Sequence, residues 1–371
     1  MNDYLKTYRI ELLTLSPIFI GGEKSLNKKE YVKKGRTIYI PDLEKMYLYM
    51  SEHRLAKSFE KFMLDETARD LGRWMNENKI PVSDYEKWTA YKLDASDALG
   101  ENSKTLEIKS FVKDAYGCPY IPGSSLKGAL RTILQAYIIK NNIRYFTRNS
   151  EDIKLEAETF RGKPKEYLKN QDKKLSTRTF NSLNRKEDLK NAVNDIMSCV
   201  RVSDSQPLST DSLILCQKVD VSVRGNENPI NTTRECIRPN TKIVFDLTIT
   251  NEFPFSVKEI QEAVGIFAES YYQNFFRFFN KATEVQAPKS DTIWIGGGVG
   301  YVSKTVMYPL FGYQKGLKVV SEIMKRTAPQ KRDEPNKHRN DFKIGVSPHM
   351  LKCTYSQGKL YEFGRCKIKI Y

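Results

Sequence analysis

PGSSLKGALR, residues 122–131, is the stretch on which the fold turns. Pro122 and Gly123 permit a tight turn, and SSLKGALRTILQAYIIK then carries apolar residues at helical spacing, which predicts a helix capped by Ser124 or Ser125. Lys127 and Arg131 stand at i and i+4 and share one face of that helix. Hydroxyls, free backbone N–H groups and two cations at a helix start can hold a phosphate. The same residues equally suit an ordinary capped helix. A nucleotide-binding P-loop is excluded: Gly123 and Gly128 satisfy the first spacing, but Ala129 and Leu130 follow where Lys and Ser/Thr are required.

Upstream of the helix, a strand is predicted near 104–113. Further back, 8–20 (YRIELLTLSPIFI) alternates as a strand that Gly21 and Gly22 punctuate, and 36–40 forms a short strand. From Asp42, a plausible N-cap, apolar residues recur at near-helical spacing and predict one broken helix or two over 43–78, followed by loop over 79–103. Downstream, 142–190 is charged and poor in apolar periodicity, and is read as an insertion, partly helical and partly flexible. A helix is predicted over 186–198, strands over 213–223 and 241–249, and between them a Gly/Asn/Pro-rich hairpin or finger. Residues 256–281 predict a strongly amphipathic helix whose aromatic stripe belongs in the core. A strand entering GGGVG (296–300), a helix over 314–326 and a terminal strand pair over 349–370 complete the chain.

This order predicts an α+β fold: two ferredoxin-like (RRM-like) halves decorated with helical and loop insertions and a thumb-like hairpin. The expected organisation is an N-terminal core over 1–140, a charged insertion over 141–190, and a second half over 191–371. That second half contains the finger (217–239), the glycine-rich loop (295–305) and a basic C-terminal segment. A length of 371 residues agrees with two or three domains of ordinary size.

The net charge is +16, distributed as +1, +7, −2 and +10 over residues 1–100, 101–200, 201–300 and 301–371. Such a surplus favours a polyanionic partner. The segment 325–343, KRTAPQKRDEPNKHRNDFK, contains two prolines and almost no apolar residue, which predicts a mobile basic loop able to follow phosphates. With 40% apolar residues, 21 Tyr and 18 Phe, the chain is predicted to be globular. Neither a membrane span nor a signal peptide is predicted, and the compartment expected is the cytoplasm.

The six cysteines form no CxxC pair, so no metal site and no cofactor is predicted. Only His53, His338 and His349 are present, and chemistry by a histidine pair requires the fold to bring two together. At GGGVG a dinucleotide fingerprint starting from Gly296 would require glycine where Tyr301 stands. What remains is a glycine-rich loop followed by Ser303 and Lys304, suited to RNA backbone contact or to tight packing.

Together these segments resemble the RAMP proteins of CRISPR systems. The ordered set TLSPIFIGG (14–22), KDAYGCPYIPGSSLKGALRTIL (113–134), RVSDS (201–205), the finger at 217–239 and IGGGVGYVSKT (295–305) is similar to a narrower family, the fifth subunits of type III-A Csm effector complexes. The resemblance implies a non-catalytic subunit that caps the 3′ end of the crRNA, packs on the terminal backbone RAMP subunit beside other Csm subunits, and contributes to crRNA maturation and antiviral defence. Its implied partners include target RNA and a trimming exonuclease. Implied RNA-contacting residues are Gly123, Ser124, Ser125, Lys127 and Arg131, then Arg201, then Arg224 and Arg234 in the thumb. Gly296, Gly297, Gly298, Gly300 and Lys304 complete the set.

Related sequences often carry histidine where Phe19 stands, so no acid–base role is expected of the first strand. The stretch 23–31, EKSLNKKEY, lacks the aspartate with which the backbone subunit cuts target RNA, and no target cleavage is expected. The competing expectation is a metal-independent RAMP endoribonuclease that processes precursor crRNA, with His53 or His349 near a ribose 2′-OH. A third, compatible with the first, is a recruitment platform for a separate nuclease through 325–343 or 142–190.

Overall fold

The computed structural model describes residues 4–67, 70–99, 107–163, 166–282, 284–327 and 335–371. Its strands are β1 (Leu5–Thr14), β2 (Gly21–Leu26), β3 (Val32–Lys34), β4 (Thr37–Pro41), β5 (Thr89–Asp94), β6 (Ile108–Phe111) and β7 (Val200–Val202). These are followed by β8 (Leu213–Ser222), β9 (Glu227–Ile237), β10 (Lys242–Thr250), β11 (Thr292–Trp294), β12 (Met350–Ser356), β13 (Lys359–Glu362) and β14 (Arg365–Ile370). The helices are α1 (Leu43–Glu52), α2 (Ala56–Leu64), α3 (Leu71–Glu77), α4 (Gly123–Asn141), α5 (Thr147–Thr159), α6 (Lys169–Phe180), α7 (Val257–Asn274), α8 (Met307–Thr327) and α9 (Asp341–Ile344).

Two curled sheets organise this α+β fold. The first has the order β11-β14-β1-β10-β7, antiparallel throughout. Within it β1, α4, β7, β10, α7 and β14 supply the six parts of a ferredoxin-like βαββαβ unit, with β1 and β10 central. Alternation along β1 turns Ile10 and Leu12 inward while Arg9 and Glu11 face outward. The buried face, with Phe245, Leu247 and Ile368, joins one core with Leu130, Ile133, Val264 and Phe267 of α4 and α7. Fully burying an aromatic such as Phe267 contributes about 2–3 kcal/mol.

The second sheet follows the path β2-β6-β9-β8-β5-β4-β3, with β12 paired to β8 and to β13. Both sheets therefore take strands from both sides of residues 141–190, since β1 pairs with β14 and β6 pairs with β9. A separate aromatic core, including Phe59, Phe62, Trp74, Tyr85 and Trp88, holds α1, α2 and α3 over the β3–β4 hairpin.

Several local expectations are corrected. The stretch 43–78 holds three helices: α1 gives way to α2 at Arg54, whose φ is +57°, and Asp70 opens α3 by accepting the Arg73 N–H. Gly21 and Gly22 begin β2 and do not end β1. The supposed loop 79–103 contains β5, which exists through its pairing with β4, and residues 100–103 lie outside the described residues. Over 186–198 there is no α-helix: Asn191 and Asp195 each accept a backbone N–H two residues on and cut the segment into 3₁₀ turns. The C-terminal pair is three strands. In the basic segment, residues 328–334 lie outside the described residues, whereas 335–344 form turns and α9 around a buried Asp341.

Candidate nucleic-acid interface

Three segments remote in sequence converge at the glycine-rich loop. Ile18 and Ile237 exchange backbone hydrogen bonds of 3.0 and 2.9 Å, joining the end of β9 to the 17–20 segment. The Gly297 N–H donates to the Phe19 carbonyl at 2.7 Å, and the Gly364 N–H to the Pro17 carbonyl at 3.0 Å. Gly296 and Gly298 have φ of +86° and +94°, a region that favours glycine. A Cβ on Gly296 would overlap the Phe19 carbonyl, and one on Gly298 would stand 2.5 Å from Arg234 Nη1. The glycines thus admit an arginine side chain against the loop backbone.

Arg234 lies on β9 opposite Cys216 of β8, and its guanidinium is flanked by two rings, Phe19 at 5.0 Å and Phe363 at 5.9 Å. Its Nε and Nη1 are buried without a hydrogen-bond partner. Burial holds its pKa below the ordinary arginine value. Leaving buried donors unpaired costs about 1–3 kcal/mol each, more when charged. The next residue, Glu235, has all it needs: Tyr91 Oη donates to it at 2.6 Å, the Phe111 N–H donates at 2.8 Å, and Lys113 forms an ion pair with it.

Further cations gather on the same face. Lys352 Nζ lies 2.7 Å and Lys218 Nζ 3.6 Å from Asp220, so two ammonium groups share one carboxylate. The stem of Lys352 runs beside Gly300. The Lys304 ammonium is pushed below the usual lysine range by partial burial first and then by Arg234. Lys218 is lowered likewise, by burial first, then by Lys352, with Arg234 adding to it. Arg234 repels Lys218 and Lys304, and Lys352 repels Lys218, a concentration of positive charge that suits a polyanion.

The chain is similar along residues 11–303 to the RAMP superfamily. It is 32% identical to Csm5 of the Streptococcus thermophilus CRISPR system over 319 residues, 82% of this chain and 81% of that protein. The identity to Csm5 of Mycobacterium tuberculosis is 29% over 402 residues, covering 100% and 99% of the two chains. The chain belongs to the RAMP superfamily and, within it, to the Csm5 family of CRISPR-system proteins. Among solved structures, a chain of the cryo-EM structure of a Csm–crRNA–target RNA ternary complex in a type III-A system superposes with a TM-score of 0.62 at 18% identity, over 98% of this chain and 100% of that one. The crystal structure of T. onnurineus Csm5 gives 0.56 at 17%, over 96% and 99%. The Csm5-like fold is shared across these chains.

Within this Csm5-family fold the PGSSLKG segment does not join the Arg234 site through any direct bond. The Ser-capped start is corrected: Pro122 is the N-cap and neither serine caps the helix. The first turn is satisfied from RVSDS instead, where the Asp204 carboxylate accepts from the Gly123 N–H at 2.8 Å and Ser205 Oγ from the Ile121 N–H at 2.9 Å. Gly123 is required because a Cβ there would overlap the Val202 and Ser203 carbonyls. Ser124 is exposed and Ser125 half-buried.

Lys127 donates to the Val200 carbonyl at 2.7 Å. Arg131 pairs with Asp195 at 2.8 Å, donates to Ser176 at 2.9 Å, and lies 3.9 Å over the Phe180 ring. These two cations are spent inside the protein, with Arg201 exposed beside them. A cavity of about 330 Å³ lies between α4, α6 and the start of α8, lined by Gln135, Asp172, Tyr301 and Lys304 among others, and approaches the glycine-rich loop.

The finger is a β8–β9 hairpin. Arg224 is exposed in its turn and Arg234 lies ten residues further on, where β9 enters the sheet. Sequence reasoning missed Phe19 and Phe363 as the walls of the Arg234 site, and missed Lys218 and Lys352, whose spacing in the chain carries no sign of their meeting. It missed too that His338 and His349 come together, with ring centroids 4.9 Å apart. The spacing His338-x2-Asp341-x7-His349 was the available signal. His53, the other histidine, stacks on Tyr49 at 4.0 Å with Nδ1 2.8 Å from the Tyr49 carbonyl at the end of α1. Among the described residues no helix is long and apolar enough to cross a membrane.

Proposed function

We propose that this chain is a non-catalytic, cytoplasmic RNA-binding subunit of a type III-A Csm ribonucleoprotein, capping the 3′ end of the crRNA and packing on the terminal backbone RAMP subunit. What carries the reading is the Arg234 guanidinium, with Nε and Nη1 unpaired, near Lys218 and Lys304 at the glycine-rich loop. Cations without base-reading geometry suit a backbone of any sequence, as a guide with variable spacers demands. The fold it shares with a chain from a complex containing crRNA and target RNA supports the same partners.

The experiment is co-purification of the tagged chain from its host with sequencing of the bound RNA. Recovery of intact guides with Csm partners, and loss of 3′-trimmed guides in the Arg234→Ala/Lys304→Ala variant, is expected. Recovery of no guide RNA overturns the reading.

A second reading, metal-independent processing of precursor crRNA, draws on one observation: His349 Nδ1 is held by Asp341 as a general base would be oriented. Incubating the chain with a repeat-containing transcript in EDTA separates the two. A discrete cut that disappears in His349→Ala or His53→Ala would favour the enzyme and end the non-catalytic assignment.

A further inference from the structure

Residues 338–349 fold around one fully buried carboxylate. Asp341 Oδ1 lies 2.5 Å from His349 Nδ1, and Asp341 Oδ2 lies 2.8 Å from His338 Nδ1 and accepts from Ser347 Oγ at 2.6 Å. The two side chains are 14% and 13% exposed. Among the described residues no lysine or arginine forms an ion pair with Asp341, although buried carboxylates ordinarily need one. The cluster is braced from α8, where Tyr308 Oη donates to the Ser347 carbonyl at 2.8 Å and Tyr313 Oη to the Gly345 carbonyl at 2.7 Å.

We propose that His338, Asp341 and His349 form a binding site for one divalent transition-metal ion, best suited to Zn²⁺, which fastens the 338–349 segment between α8 and β12. One ligand atom from each residue lies within 4.8 Å of the others. Two imidazoles and a carboxylate are the donor set of zinc and its neighbours, whereas calcium and magnesium take oxygen alone. Ligand bonds of about 2.0–2.2 Å at tetrahedral angles put ligand atoms about 3.4 Å apart, so the two Asp341–histidine contacts of 2.5 and 2.8 Å have to open by under about 1 Å while the wider spacing, within 4.8 Å, closes around the ion. Without the ion, Nδ1 of each ring shares a hydrogen bond with the carboxylate; with it, Nδ1 becomes the ligand and Nε2 carries the ring proton. Ser347 keeps the carboxylate oriented, and a fourth position stays open.

The test uses the full chain, stripped with EDTA and titrated with Zn²⁺ or Co²⁺. One Zn²⁺ per chain after desalting, with a rise in Tm, is expected. His338→Gln and His349→Gln should each weaken binding more than tenfold, while His53→Gln leaves it unchanged. Co²⁺ in the unmutated chain should give a visible d–d band without the near-ultraviolet thiolate band that ligation by any of the six cysteines produces, and this reading needs no variant to fold. No metal retained, a thiolate band, or equal binding by the histidine variants would overturn the site. None of these readouts involves RNA, so failure here leaves the proposed function standing.

Discussion

The Arg234 guanidinium carbon lies 5.0 Å from the centroid of the Phe19 ring, and the same ring packs under the glycine-rich loop at Gly297. Phe19 is thus a wall that holds an arginine in place. A charge kept desolvated without an anion is destabilising on its own, and the arrangement gains only when a phosphate arrives. Replacement of Arg234 should therefore separate stability from affinity. Arg234→Met is expected to keep or raise Tm, while RNA binding weakens about tenfold and the slope of log K against log salt falls by about 1. Thermal denaturation alongside binding across a salt series checks both; a large loss of Tm would contradict the account.

Gly298 serves this same arginine. Gly298→Ala has to hold φ of +94° and displace Arg234 Nη1, and should cost about 1–3 kcal/mol along with RNA affinity. Gly35→Ala, at φ +58° with open space around it, should cost about 1 kcal/mol and leave binding intact. Denaturant titration with parallel binding distinguishes strain alone from strain at the site.

Lys127 and Arg131 should behave as structural residues. Arg131→Ala removes an ion pair and the contact over Phe180, and should destabilise by about 1–2 kcal/mol while shifting RNA affinity less than threefold. Asp204→Ala, which strips the acceptor from the start of α4, should cost about 1 kcal/mol. If either Lys127→Ala or Arg131→Ala lowers RNA affinity tenfold with Tm unchanged, the internal role assigned to them fails.

Binding should fade on the alkaline side. Lys304 and Lys218 have pKa values below the ordinary 10.5, each through desolvation first, so their charge is lost at lower pH than that of a free lysine. Only the protonated form attracts phosphate, hence affinity falls as pH rises through those values. Lys304→Arg stays charged and should flatten the alkaline side of the profile below pH 10.5. Equal profiles for the two proteins would remove Lys304 from the interface.

Much of this fold was legible because its signals are local. The helix at Gly123–Asn141, the capped helix at Val257–Asn274 and the strands at Leu213–Ser222 and Lys242–Thr250 carry their own periodicity. The strand Thr89–Asp94 did not, since only Leu93 in it is buried and its pairing partner lies some fifty residues back. The helix start at Gly123 misled for a related reason: the acceptor that replaces a serine cap is 81 residues away. At the candidate site, the glycines and Arg234 were visible as chemistry. Phe363, Lys218 and Lys352 gain meaning only once β8, β12 and the turn after β13 come together.

The antiparallel pairing of Leu5–Thr14 with Arg365–Ile370 sets a clock on the making of this protein. At about 5–20 residues per second, the ribosome needs roughly 18–70 s between releasing the first of these strands and the second. Throughout that interval the edge of the first sheet is open to any other strand it meets. The strands Lys242–Thr250 and Val200–Val202 can complete the other side of that sheet earlier, so its Leu5–Thr14 edge is covered only when Arg365–Ile370 docks.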